Sequence, residues 1–236
     1  MGAEEEIVME AKPSSDIAFT TSVKAMQARR GSRKAYAKME ARGGFKTKIT
    51  PDLIAFLTQV DTAYLATANA AGQPYVQHRG GPKGFICSLD DTTLAFADYA
   101  GNRQYITLGN LAENDQAFLF LMDYAHRRRV KMWGCARIVE AEPELISRLM
   151  PAGYRAHAEQ AVLFEVKAWD VNCQRHIPQK LDAGEVAEVL AKLRSRIETL
   201  EAENDKLRAA TLRPMTGAFR CHCNSGFTTI TGLSQD

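Results

Sequence analysis

Ala63-Tyr64-Leu65-Ala66-Thr67-Ala68-Asn69-Ala70-Ala71-Gly72-Gln73-Pro74-Tyr75-Val76-Gln77-His78 decides the fold class. Two runs of strand-forming residues flank an Asn-to-Gly turn, which is the signature of a β-hairpin. The same grammar repeats downstream. Gly84-Phe-Ile-Cys-Ser88 and Thr93-Leu-Ala-Phe-Ala97 flank Asp90-Asp91, and residues 117–122, 129–139 and 161–168 read as further strands. Short antiparallel strands joined by tight turns, with few helices, predict a mainly β protein built as a small closed barrel of about six strands.

Helices frame this sheet. Residues 19–41 have a helical, strongly basic composition, with Gly31-Ser32 as a break and new N-cap. Thr50-Pro51-Asp52 is a firmer start, with a capping hydroxyl, proline at the first helical position and an acid in the first turn. Leu53, Phe56, Leu57 and Val60 are its expected buried stripe. A short helix is expected over 101–114, with Ile106, Leu108 and Leu111 facing the core, and another over 142–150. Residues 1 to about 15 carry an acidic cluster and Pro-Ser-Ser, and are expected to be disordered. The organisation is therefore a partly helical N-terminal extension (1–49), the barrel (50–180), an amphipathic helix (181–210) and a disordered tail (211–236).

That helix has its own pattern. Val186, Leu190, Leu193, Ile197, Leu200, Asn204 and Leu207 alternate spacings of four and three, a heptad seam. Two readings stay open, a parallel dimer or a single helix lying on its own barrel. In the tail, Cys221-His222-Cys223 has no partner cluster at zinc spacing, so no metal is expected.

A net charge of +2 over 236 residues is too small to argue for nucleic acid binding, and no apolar run approaches bilayer length. The acidic N-terminus lacks a secretion pattern. Five cysteines at irregular spacing point to a reducing compartment rather than a disulfide framework. A cytoplasmic location follows as the expectation.

Basic residues recur at three successive strand ends: His78-Arg79-Gly80-Gly81-Pro82-Lys83, then Asp98-Tyr-Ala-Gly-Asn102-Arg103-Gln104, then Arg127-Arg-Arg129-Val-Lys131-Met-Trp-Gly134. If the sheet closes, they converge. Arg79 precedes two glycines whose missing side chains would let backbone approach a ligand, and Lys83 returns four residues later. Gly101-Asn102-Arg103, where strand gives way to helix, would add free amides and the positive helix end. Arg129, Lys131 and Trp133 share one strand face. Such a set suits a phosphate dianion, each charge-assisted bond contributing about 1.5–3 kcal/mol. FMN is the best candidate.

In their order and spacing these motifs resemble the pyridoxamine 5′-phosphate oxidase-like family of FMN-binding split barrels over about residues 50–170. The family pattern runs Arg, three or four residues, Lys; then a Phe-containing strand ending in Gly-Ser-Arg-Lys; then Arg-Gln-Val ending in Gly. This chain has Arg79 and Lys83, then Phe96-Ala97-Asp98-Tyr-Ala-Gly-Asn102-Arg103-Gln104, then Arg128-Arg129-Val130 and Gly134. The resemblance implies that Arg79, Lys83, Asn102 and Arg103 bind the flavin phosphate, and that Gly80, Gly81, Ala97 and Asp98 lie beside the cofactor. It also implies that Arg129 replaces a cofactor-contacting glutamine. Gln104 stands where the oxidases have lysine, so one phosphate charge is missing. Lys131 is the candidate for the ring's pyrimidine edge. A homodimer is implied, with FMN at its interface.

The departure comes after Trp169. The substrate-gripping arginine segment of true pyridoxamine phosphate oxidases has no counterpart in Trp169-Asp-Val-Asn-Cys173-Gln-Arg175-His176-Ile-Pro178. That segment, like Gly31-Ser32-Arg33 and Tyr36, resembles a bacterial subgroup of flavin-binding proteins, which disfavours vitamin B6 oxidation. His176 and Cys173 are the catalytic candidates, as a proton donor or acceptor and a thiolate beside it. The expected function is an FMN-dependent oxidoreductase moving electrons between a small-molecule or nicotinamide donor and an acceptor. The alternative is a flavin-binding carrier, sensor or store without turnover; a third reading fills the pocket with haem or another flavin.

Overall fold

The computed structural model describes residues 12–140, 142–171 and 174–211. Two compact units separate between Leu181 and Asp182. The first holds seven antiparallel strands: β1 (Thr62–Ala68), β2 (Pro74–Gly80), β3 (Cys87–Ser88), β4 (Thr93–Tyr99), β5 (Gln116–Asp123), β6 (Arg128–Val139) and β7 (Ala158–Val171). Their order is β2-β1-β5-β6-β7-β4-β3, a split barrel with flanking helices. The run expected as a strand over 84–88 forms only the two-residue β3, the shortest of the seven.

Alternation sets the faces. Along β1, Ala63, Leu65 and Thr67 point inward, and register carries this face through Leu121, Leu119 and Ala117 of β5 to Val130 and Met132 of β6. Phe96, Phe164 and Val162 complete the interior, plugged at one end by the helix α3 (Pro51–Leu57). That helix forms as its sequence directs: the Thr50 hydroxyl accepts from the Leu53 amide, and Leu53, Phe56, Leu57 and Val60 are buried. A second, smaller core of Ala95, Ala97, Val139, Leu149, Ala161 and Leu163 lies on the opposite face, under α5 (Pro143–Leu149).

The glycine that ends the third basic cluster has a packing role. Strand register shifts between Trp133 and Gly134, a β-bulge, and a Cβ at Gly134 would run into the Glu165 carbonyl and come within 2.8 Å of the Phe164 ring.

The N-terminal extension begins earlier than composition suggests. Residues 1–11 lie outside the described residues, but Ser14–Ile17 form a 3-10 turn with Ser15 fully buried. The expected disorder fails there because long-range partners hold the turn: the Ser14 amide and hydroxyl both donate to the Gly43 carbonyl, at 3.1 and 2.9 Å. Helices α1 (Thr21–Arg29) and α2 (Arg33–Glu40) follow, split at Gly31-Ser32, although the Ser32 side chain makes no cap bond. Glu40 receives both Arg33 and Lys24, the latter at 3.3 Å. Phe19 packs edge-on against Tyr36 and Phe45, and Phe45 stacks on Trp133 with centroids 5.1 Å apart and planes at 6°. Lys46 and Trp169 exchange backbone bonds, so the extension is clasped to the outer sheet face.

The fourth helix, α4 (Ile106–Glu113), starts five residues later than expected. Its buried residues are Thr107 and Asn110; Leu111 packs against the main core as expected, whereas Ile106 is exposed and Leu108 only half-buried. Polar pairing explains this correction: Thr107 donates to Gln77 at 2.7 Å, and Asn110 donates to Thr67 at 3.0 Å. The second unit contains α6 (Ala183–Thr211). No described helix is long and apolar enough to cross a membrane.

Two outcomes test this account. Gly134→Ala is expected to lower stability by about 1–3 kcal/mol in urea unfolding, the usual cost of overpacking. For the extension, the Arg33 hydrogen bond holds the Glu40 carboxyl below its ordinary range. A depressed carboxylate contributes stability that is full above its unfolded value and is lost as pH falls through the folded one. The hydrogen-exchange protection factors of residues 14–45, taken relative to the intrinsic exchange rate at each pH, should therefore fall as pH drops below about 4, where an ordinary glutamate titrates. Glu40→Gln should lower those protection factors and abolish this dependence.

Candidate functional site

Arg79 of β2 and Asp98 of β4 are ion-paired, with side chains only 10% and 8% exposed. Both strands turn these residues toward the barrel interior: Arg79 is in register with Ala63, and Asp98 with Gln160 of β7. Gln160 donates to the second Asp98 oxygen at 2.8 Å. The carboxylate is thus satisfied from two strands. Arg79 is not, because its Nε is buried without a partner.

This pair floors an open cavity whose wall is the segment from Gly101 to Tyr105. Arg103 and Tyr105 have left-handed backbones, φ 57° and 52°, uncommon for residues with a Cβ. Backbone strain of this kind collects at functional sites. Arg103 is 68% exposed, with only a 3.5 Å contact from Nε to Glu159. Asn102 accepts from the Gln104 amide at 3.3 Å, which tightens the turn.

The chain thus brings together Arg79, Asp98, Asn102, Arg103 and Gln104 of the expected set. The expected helix end does not join them, since α4 begins at Ile106, beyond the left-handed turn. The two glycines after Arg79 have a packing reason within the chain: a Cβ at Gly80 would lie 2.8 Å from the His78 ring, and one at Gly81 would lie 2.7 Å from Phe85. Ala97 points the other way, into the small core under α5. Lys83 sits exposed in the following turn, outside the cavity lining.

Arg129 and Lys131 occupy the outer face of β6. Lys131 pairs with Asp170 at 3.1 Å and lies 5.8 Å from the Phe45 ring centroid. Within one chain neither reaches the cavity. His176 is exposed in a left-handed turn, φ 64°, and is also outside the lining. Cys173 and Cys221-His222-Cys223 lie outside the described residues. Of the described thiols, burial pushes Cys87 and Cys135 up, so both are protonated near neutral pH and poor nucleophiles.

Sequence reasoning missed Gln77, Glu159 and Gln160. Gln77 was recoverable, being two residues before Arg79 on the same strand face. Glu159 and Gln160 were not, because nothing in the local pattern shows that β7 begins before Ala161.

The profile of the Pyridoxamine 5′-phosphate oxidase family matches residues 49–175, more than half of the chain. The chain belongs to this family. Among solved structures it is similar to HupZ from Group A Streptococcus, with 21% identity over 56% of this chain and 99% of that one, at a TM-score of 0.42. An FMN-binding protein from Syntrophomonas wolfei is similar at 11% identity over 62% of this chain and 97% of that one, TM-score 0.41. General Stress Protein 26 from Bacillus anthracis shares 16% identity over 50% and 89% of the two chains, TM-score 0.37. No curated protein matches the chain.

The buried pair gives a sharp expectation. Asp98→Ala leaves the Arg79 guanidinium buried without its counter-charge and should cost about 3–5 kcal/mol in urea unfolding. The double change Arg79→Met with Asp98→Leu should recover most of that loss.

Proposed function

We propose that this family member is an FMN-binding oxidoreductase that works as a homodimer. It would pass electrons between a small-molecule or nicotinamide donor and an acceptor. The observation that carries the reading is the convergence of Arg79, Asn102, Arg103 and Gln104, from separate segments of a family-type barrel, on one polar cavity.

The donor chemistry fits a flavin phosphate. Arg103 keeps most of its guanidinium in solvent, and Arg79 retains a buried Nε–H with no acceptor. Arg103, Asn102 and Gln104 would hold the phosphate, and Arg79 would support it with the donors that Asp98 leaves over. Gln77, fixed by Thr107, would line the approach to the ring. FMN, once bound, supplies the electron chemistry itself; the protein positions it and tunes its surroundings. Arg129 and Lys131 would enter the site only from the second protomer. His176 and Cys173 remain proposals for proton transfer on the same two-chain terms.

A specific observation favours the non-catalytic alternative, a flavin carrier. The two cavity arginines are each matched by a carboxylate, and no described lining residue is His or Cys. Anaerobic mixing of the FMN-loaded protein with NADH, NADPH and a panel of organic donors separates the readings. Bleaching of the flavin band supports the oxidoreductase; tight FMN with no bleaching by any donor supports the carrier.

Affinity variants test the phosphate site. Arg103→Ala should weaken FMN binding in fluorescence titration by about 1.5–3 kcal/mol, tenfold or more. Asp98→Ser, which frees Arg79, should tighten it while lowering the stability of the unliganded protein. Unchanged affinity in both would remove this cavity as the phosphate site.

A further inference from the structure

The helix α6 is capped by Asp182, whose Oδ1 accepts from the amides of Gly184 and Glu185 at 2.8 and 3.1 Å. None of its residues is buried. Its large aliphatic residues are 38% to 69% exposed, from Val186 to Leu207. A stable helix in water normally buries its apolar stripe, so this one lacks its partner.

The shape of the stripe says what the partner is. A helix docked on a globular surface shows a face about 100° wide or more, whereas a strict two-in-seven seam suits a second helix supercoiled around it. Seven residues from Val186 to Leu207 are spaced four, three, four, three, four, three without a break, and of the large aliphatic residues in that range only Val189 lies beside the seam. The seam is narrow, and it is self-complementary.

Charge and polarity then set the pairing. In a parallel, in-register pair, Arg196 faces the partner's Glu201, and Glu203 faces the partner's Arg208. An antiparallel pair also matches charges, with Arg196 against the partner's Glu203, so charge does not choose the direction. Asn204 does. In the antiparallel pair its amide is buried against the partner's Leu193 with nothing to bond, a cost that a buried polar group seldom bears. In the parallel pair two Asn204 amides lie side by side and bond each other, the arrangement that fixes two strands in register.

We propose that α6 pairs with α6 of a second copy of this chain as a parallel, in-register, two-stranded coiled coil. The proposal is independent of the flavin reading.

The test uses the full chain with Cys173, Cys221 and Cys223 changed to serine, carrying either Leu207→Cys on the seam or Lys206→Cys beside it. After mild oxidation, non-reducing electrophoresis should show at least fivefold more covalent dimer from Leu207→Cys. Adding Leu193→Lys should reduce that dimer to the Lys206→Cys level, with circular dichroism confirming that the barrel remains folded. Equal cross-linking at the two positions, or none at either, overturns the proposal. An antiparallel pair would hold the two 207 positions about 25 Å apart and give none. A dimer joined only through its barrels would also give none, leaving FMN binding untouched.

Discussion

The ion pair between Arg79 and Asp98 is the constraint on which the first unit depends. In sheet order β2 and β4 are five strand steps apart, about 24 Å if the sheet were flat. Direct contact between their side chains is possible only because the sheet curls until its first and sixth strands face each other. Because β3 covers only Ala95 and Leu94 of β4, the far end of β4 is open at Asp98. The pair closes that gap. Taking both charges out of water is costly, and the cost is offset by mutual attraction together with the bond from Gln160.

The same pair shapes the chemistry. A guanidinium that could serve a phosphate is committed to a carboxylate, and Arg103 is left as the exposed cation of the cavity. On the proposed function, anion binding would depend on the strained loop that presents Arg103 and Asn102 more than on the barrel wall. The clasp of Phe45 on Trp133 has a related effect on the outer face, where it covers part of the β6 basic cluster and holds Lys131 beside Asp170.

Local chemistry made much of this legible in the sequence. The Thr50 cap, the Asn69–Gly72 hairpin and the inward set Leu65, Val130 and Met132 all follow from short-range pattern. What was not legible depended on distant partners. The order at Ser14 comes from Gly43, and the buried Asn110 is explained only by Thr67 across the fold. Alternation also separated Arg129 from Val130 correctly without showing that neither face of β6 lines the cavity. At Gly80 and Gly81 a sequence shows a missing side chain but not the His78 and Phe85 rings that fill its place. The heptad seam of α6 was legible outright, since its period is set by the helix alone.

An absorbance spectrum of the purified protein, followed by denaturation and identification of any released cofactor, tests the central claim that this cavity holds a flavin. The account predicts two flavin bands and FMN released at about one per chain, or stoichiometric uptake of added FMN by a protein purified empty. A colourless protein that takes up no FMN, or one whose spectrum is that of haem, would contradict it.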